Sequence, residues 1–441
     1  MPKTSPSYRA IVRAGTAIAT LLGLFDAKLR AGHLGRRHGG KQLEEWARLA
    51  RDPARPLVWL HASSVGEGLQ AESVLEELRR LRPDAQLVYT HFSPSAEPLA
   101  RRLRADAADY LPYDLPGESI RLLEALRPDL LVFSKLDLWP ELATRAAARG
   151  TTVAIVAGTV SAGSGRLRWP ARRLLAPGYA SVSAAGAVAE ADAGRLAVLG
   201  VPRTAIRVLG DPRFDSVELR VRSTSPDDPL LRLGSGAPSL VAGSTWPGDE
   251  AALLAAFAAV LAERPLARLV IVPHEPDQRH LAELAALAAR LVLPQPVLLS
   301  VATGPEPLLV VDRVGALAAL YGAGTMAYVG GGFGRAGLHS VLEPAAWGVP
   351  VAFGPRWQES RDAGLLLSAE AAATVNGAES LAEIWMGWLG DESRRAAMGA
   401  RARTVVQNGL GAARRSAEML AELISSRPLR TSQTGGRSVP P

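Results

Sequence analysis

The chain contains no cysteine. Disulfides, thiolate-held metals and iron–sulfur clusters are thereby excluded. Its seven histidines, His33, His38, His61, His91, His274, His280 and His339, never fall into the H-x-x-x-H spacing of a helical zinc site, so no metal is expected. No segment reaches the roughly 18 consecutive apolar residues of a transmembrane helix. No tandem repeat shows at periods of about 20–50 residues, which argues against a solenoid. No basic motif interleaved with aromatics is present, so nucleic acid is not an expected partner.

What is present is a foldable chain with a basic bias. Hydrophobic residues make up 48% and charged residues 21%, enough for a large core and too apolar for global disorder. The net charge of +7 points to an anionic partner. Basic residues crowd the first 56 positions, among them Lys3, Arg9, Arg13, Lys28, Arg30, Arg36 and Arg37. In their midst lies Ala10–Phe25, an apolar stretch broken by Arg13. Apolar surface flanked by arginines suits an anionic membrane surface. The competing reading is an ordinary helix packed on the first domain.

From residue 56 onward short apolar runs alternate with helical stretches. Strands are expected at 57–63, 86–92, 110–113, 129–135, 151–159, 179–188 and 206–209, with helices between most of them. This alternation predicts βαβ units and parallel sheets. Residues 223–239 are rich in Ser, Pro, Gly and Asp and read as a linker. Strands then resume at 239–244, 267–273, 308–311, 326–330 and 349–354. The expected class is α/β, with two Rossmann-like domains and parallel sheets facing across a cleft. The expected organisation is an N-terminal membrane-associating segment (1–55), a first domain (56–222), a second domain (223–426) and a disordered tail (427–441). The helical stretch 392–424 ends the second domain in this scheme and can cross back onto the first.

Candidate chemistry gathers just after the strands, where parallel sheets bind ligands. Glu67, in S-S-V-G-E-G after the first strand, can act as a base toward a hydroxyl or simply cap a helix. Lys135 and Asp137 follow another strand and offer a cation and a carboxylate at the same edge. Arg213, in G-D-P-R-F-D, can reach an anion. In the second half, Ser244, Pro273 with His274, and Val314-Gly315-Ala316 each follow a strand. The run from Val329 to Pro355 adds three glycines, then Ser340, Val341, Leu342 and Glu343. Glycine lets a backbone approach a ligand closely, and a helix start aims free N–H groups at a phosphate. A carboxylate one turn later can accept from sugar hydroxyls. The alternative is a glycine-rich turn without a ligand.

His61–Glu67 (HASSVGE), Leu138–Pro140 (LWP), Gly210–Asp215 (GDPRFD), Gly243–Glu250 (GSTWPGDE) and the H-S-V-L-E-P after the glycines occur in an order that resembles the Kdo transferases. These move 3-deoxy-D-manno-octulosonate from CMP onto a lipid A precursor in lipopolysaccharide core synthesis. The resemblance spans about residues 57–420. It implies an inverting glycosyltransferase of GT-B fold, with acceptor in the first domain and CMP-sugar in the second. It also implies association with the cytoplasmic face of the bacterial inner membrane. Glu67 matches the family's base, and Arg213 a basic residue, usually lysine, that offsets transition-state charge. Pro273, His274, Val314 to Ala316 and Ser340 to Glu343 match CMP-contacting positions, with Glu343 toward the ribose. No metal or cofactor is implied. This chain departs from the family where Lys135 and Asp137 replace glutamates, His274 follows Pro273 without an arginine, Ala316 replaces a glutamate, and Ser340-Val341 replaces Asn-Pro. A GT-B enzyme using a UDP-sugar, or a non-catalytic membrane-associated nucleotide-sugar binding protein, are the alternatives.

Overall fold

The structure, a computed structural model, describes residues 3–233 and 237–425. The chain forms two compact units. The first comprises Met1–Ser216 with Gly411–Pro441, and the second Val217–Leu410.

The first unit is built on seven parallel strands: β1 (Leu57–His61), β2 (Gln86–His91), β3 (Ala107–Tyr110), β4 (Leu130–Ser134), β5 (Thr152–Gly158), β6 (Ala184–Ala187) and β7 (Ile206–Val208). Their order is β3-β2-β1-β4-β5-β6-β7. β1 and β4 are adjacent although the chain leaves β1 in one direction and returns to β4 for the other. The sheet therefore has a switch point between them, where the loops diverge and leave a crevice. Every residue of β1 and β4 is buried, because helices cover both faces. Side chains alternate across the sheet: Trp59 and Phe133 join one core, Val58, Leu60 and Val132 the other.

The second unit repeats the plan with β8 (Ser239–Thr245), β9 (Arg268–Pro273), β10 (Val297–Leu298), β11 (Leu308–Val310), β12 (Met326–Val329), β13 (Val351–Phe353) and β14 (Ala372–Thr374). Their order is β10-β11-β9-β8-β12-β13-β14, so the switch point lies between β8 and β12. Trp385, Phe257 and Leu254 lie in its core, with the two rings stacked 5.6 Å apart.

The α/β class and both sheets agree with the sequence reading, while several details differ. β3 lies three residues earlier than expected, and Tyr179 ends a helix (Ala171–Tyr179) instead of opening a strand. β10 and β14 are two- and three-residue edge strands, too short to show alternation. The division between the units falls after Ser216, where the expected boundary was 222/223. A helix, Pro212–Ser223, runs through that boundary. At the other end the helix Ala412–Ser425 belongs to the first unit, where the expected second domain ran to 426. The physical reason is local. Asp215 accepts hydrogen bonds from Gly411 N (2.8 Å) and Ala413 N (3.0 Å), satisfying donors at that helix start. Ala413, Ala417 and Leu420 then bury themselves in the first unit's core. The expected tail at 427–441 lies outside the described residues.

The N-terminal segment is also part of the first unit. Leu43, on the helix Lys41–Ala50, is fully buried. The first helix, Pro6–Leu22, is tied down at its start, where Tyr8 donates to Asp114 (2.7 Å) and Arg9 forms a two-point pair with Glu141, and near its end, where Thr20 Oγ1 lies 3.2 Å from His33 Nε2. Thr4 also bonds Glu141. No residue of that helix is buried, and Ile11, Ile18, Leu21, Leu24 and Phe25 stand exposed on it and just after it. Among the described residues no helix is long and apolar enough to cross a membrane.

Candidate active site

The carboxyl ends of β1 and β4 carry the first unit's ionisable cluster. The helix Val65–Leu81 starts immediately after β1, capped by Ser64. Glu67 sits at its third position and completes a capping box. Its Oε2 accepts from Ser63 N (3.1 Å) and Ser64 N (3.2 Å). Its Oε1 lies 4.0 Å from Lys135 Nζ. One carboxylate thus serves as cap and still presents an oxygen to the crevice. Burial, then the charge of Asp137, raises the Glu67 pKa against the opposing pull of Lys135 and the two backbone donors.

Lys135 leaves β4 in the left-handed region, with φ of 62°. For a side chain with a Cβ this costs about 1 kcal/mol or more, and such strain concentrates at functional sites. The turn aims Lys135 at Glu67 and brings Asp137 back toward Ser63. Asp137 Oδ1 accepts from Arg166 Nη2 at 2.8 Å. Burial would raise the Asp137 pKa, but the Ser63 hydroxyl and the Arg166 guanidinium outweigh it and hold Asp137 below the ordinary carboxylate range.

Behind this cluster runs a chain of side-chain hydrogen bonds. His61 Nε2 lies 3.0 Å from Ser63 Oγ, and its Nδ1 lies 3.0 Å from Thr90 Oγ1. Trp59 Nε1 donates to the same Thr90 oxygen at 2.9 Å. Burial pushes the His61 pKa down, so the ring is neutral at pH 7. If the Ser63 proton goes to Asp137, Ser63 Oγ must accept from His61 Nε2–H. Nδ1 then accepts from Thr90, whose oxygen takes the Trp59 proton. Each donor has one acceptor, which fixes Ser63 and through it Asp137.

Arg213, the remaining expected catalytic residue, is not part of this cluster. Its guanidinium folds back onto Asp211, with Nε at 2.9 Å and Nη2 at 2.7 Å.

The second unit gathers its expected residues at the carboxyl edge of its own sheet, on loops after β8, β9, β11 and β12. Ser244 is left-handed, with φ of 54°. His274 is exposed and stacks on Trp246 (4.9 Å) and His339 (4.5 Å). Trp246 Nε1 donates to His339 Nε2 at 3.1 Å. Glu343 pairs with Arg220 at 2.9 Å. Val314 and Gly315 are exposed. Pro273, Ala316, Val341 and Leu342 are buried, so these four offer a ligand only their main chain. The helix expected after the glycines, Leu342–Ala346, has five residues and a correspondingly small dipole.

The three glycines themselves answer to the fold. A Cβ on Gly330 would lie 2.3 Å from Ser244 O, one on Gly331 2.0 Å from Gly337 O, and one on Gly332 2.7 Å from Gly354 Cα. The space a side chain would need is filled by the chain's own backbone, where a ligand was expected. Gly331 N donates to Asp249 Oδ2 (2.9 Å) and Gly330 N to Gly243 O (2.9 Å), so these two backbone donors are already used within the fold. Asp249 is fully enclosed and also accepts from Trp246 N and Tyr328 Oη.

Sequence reasoning named Glu67, Lys135 and Asp137 but missed Arg166 and the role of His61. His61 carried a signal, since a histidine inside a buried strand needs partners on both ring nitrogens. Arg166 sits in a segment with no motif.

Residues 34–216 match the family model described as 3-deoxy-D-manno-octulosonic-acid transferase (kdotransferase). The chain is similar to the 3-deoxy-D-manno-octulosonic acid transferase of Bordetella pertussis, 29% identical over 412 residues, 88% of this chain and 94% of that protein. The Haemophilus influenzae transferase of the same description is 26% identical, covering 67% of this chain and 70% of that one. Among solved structures, a putative UDP-N-acetylglucosamine 2-epimerase from Listeria monocytogenes is similar in fold, with a TM-score of 0.61 at 13% identity over 84% of this chain and 96% of that one. The Neisseria meningitidis UDP-GlcNAc 2-epimerase gives 0.59 at 12% identity, over 84% of this chain and 100% of that one. With two seven-stranded parallel sheets, these likenesses show the two-domain, Rossmann-like GT-B fold.

Proposed function

We propose that the chain is a glycosyltransferase that transfers Kdo from CMP-Kdo to a lipid A precursor, with inversion, in lipopolysaccharide synthesis, a reading supported by its similarity to the Kdo transferases. The observation that carries this reading is the divided use of Glu67. Oε2 is fixed by two backbone donors, while Oε1 faces Lys135 with a raised affinity for a proton. A held carboxylate of raised pKa is suited to take a proton from a hydroxyl. In the proposed step Glu67 removes the proton of an acceptor hydroxyl. That oxygen bonds to the anomeric carbon, the carbon–phosphate oxygen bond breaks, and CMP leaves with the electron pair. Lys135 offsets the charge on Glu67 before the step. Arg213, held by Asp211, is the proposed group that takes up phosphate charge.

The donor assignment is supported by the exposed His274 ring on its Trp246 and His339 stack, a platform for a pyrimidine base. The proposed location is the cytoplasmic face of the inner membrane. The exposed Ile11, Ile18, Leu21 and Phe25, followed by Lys28 and Arg30, support it.

The test is Glu67→Gln, which keeps the shape and removes the base. Transfer from CMP-Kdo to acceptor lipid, followed by product mass, is expected to fall by about 10²–10⁴-fold in kcat. Undiminished transfer rejects the base assignment. Calorimetric titration with CMP and with UDP separates the CMP-sugar reading from a UDP-sugar enzyme.

A further inference from the structure

Behind the ring platform of the second unit lies a closed circuit of hydrogen bonds with a histidine in it. Glu250, 3% exposed, stands in the first turn of the helix Pro247–Glu263. Its Oε1 accepts from the hydroxyl of the fully buried Thr245 at 2.8 Å. Its Oε2 lies 2.8 Å from His280 Nε2. The other ring nitrogen, Nδ1, lies 3.0 Å from the carbonyl oxygen of Glu275. Glu275 follows His274, whose own N–H donates to Thr245 O at 2.9 Å and closes the circuit. Thr245 in turn precedes Trp246. The rings of Trp246 and His274, stacked 4.9 Å apart, are therefore each one residue away from a member of this circuit.

Both nitrogens of His280 face acceptors. A neutral imidazole carries one N–H, so it meets one acceptor and turns a lone pair on the other, whereas the imidazolium meets both. Burial works against a charge on His280, but the bond and charge of Glu250, the Glu275 carbonyl and the charge of Asp277 outweigh it and raise its pKa. Other charges close by have their own partners. Asp277 accepts from His280 N at 2.9 Å as the cap of the helix Gln278–Arg290. Arg279 and Glu283 on that helix pair with each other at 2.8 Å. Asp249, beside Glu250, is bonded to Trp246 N, Tyr328 and Gly331. The Glu275 side chain is exposed, and the imidazoles of His274 and His339 sit in the stack itself.

We propose that His280 is a positioning residue for the donor's base: as an imidazolium it ties the His274 loop to Glu250 and keeps the Trp246–His274 stack in place, so that donor affinity depends on the proton it carries. This rests on the stacking platform proposed above and adds to it a residue and a pH dependence. The single N–H left on a neutral ring goes to the carboxylate, the stronger acceptor, so the tie to Glu275 is the one lost as pH rises. The outer ring must then be ordered when the base binds, at a cost in affinity. By linkage, binding of the base raises the proton affinity of His280 in return.

The experiment is calorimetric titration of the full chain with CMP from about pH 6 to about pH 8.5, in wild type, His280→Gln, His280→Lys and His274→Ala. The CMP phosphate titrates at about pH 6 in every protein and cancels in a ratio of affinities. The ratio of wild type to His280→Gln is expected to be about 5-fold or more at the acid end and to approach unity at the alkaline end. His280→Lys, which keeps a cation beside Glu250, is expected to restore part of the affinity and to remove the pH dependence. A ratio of one throughout overturns the proposal, and so does a ratio that stays constant with pH, the mark of a merely structural contact. Melting temperatures over the same range report whether each variant is folded. Failure of the platform reading looks different, since His274→Ala then binds CMP as well as wild type does. The titration of the His280 ring by NMR still decides the coupling in that case. It is expected to move to higher pH when CMP is added, and a titration that CMP leaves unmoved overturns the proposal whatever His274→Ala does.

Discussion

At the switch point of the first sheet, ionisable groups face outward and stay available. At that of the second, they turn inward and are consumed by the fold. Glu67 keeps one oxygen free for Lys135, and Asp137 shares a crevice with Arg166. Asp249, the corresponding acid after β8, gives both oxygens to buried donors. What the second unit leaves exposed is a ring system, His274 on Trp246 and His339. One strand order thus supports two kinds of surface, one suited to moving a proton and one to holding a flat, neutral group. The difference is set by the first residues after each strand.

The sharpest way to break the comparison is a methyl group on each side. Gly331→Ala places a Cβ against Gly337 O at a residue with φ of 94°. It is expected to destabilise the second unit by roughly 3 kcal/mol or more. Gly66→Ala, in the H-A-S-S-V-G-E motif, meets nothing within 4 Å and is expected to be neutral or slightly stabilising. Thermal unfolding of the two variants measures the contrast, and similar melting temperatures would dissolve it.

A smaller effect is expected from His274→Ala. Loss of the outer ring should weaken CMP binding by about 1–3 kcal/mol, the range for base stacking, with little change in melting temperature. Calorimetry reads this directly. Unchanged affinity would mean that the base docks elsewhere.

The smallest effect is on pH dependence, and its direction follows from the charges around Glu67. The base must be ionised, so the rate falls as pH drops through its pKa. Lys135 lowers that pKa and Asp137 raises it. Lys135→Met should therefore move the acid limb of the kcat/KM profile to higher pH, and Asp137→Asn to lower pH. Shifts in the same direction for both variants would show that Glu67 is not the titrating group.

These contrasts also explain how much could be read in advance. Strand–helix alternation made both sheets legible, because a parallel strand buried on both faces is a continuous apolar run. Glu67, Lys135 and Asp137 were legible because each directly follows such a run. Arg166 was not, because only packing brings its loop to the β1–β4 edge, where it meets Asp137. The glycines were read for ligand access because φ freedom and close approach leave the same mark in sequence. Only the structure shows that Ser244, Gly337 and Gly354 are the neighbours they accommodate.

The return of the helix Ala412–Ser425 to the first unit bears on how the chain is made. This helix covers Val65–Leu81, the element that begins with the Glu67 cap. As the chain leaves the ribosome, strands β1 to β7 emerge long before their covering helix, with the whole second unit still to come. The exposed first helix precedes them in the chain. An apolar surface is therefore offered before the base is fully framed, and assembly of the first unit closes only with residues 412–425.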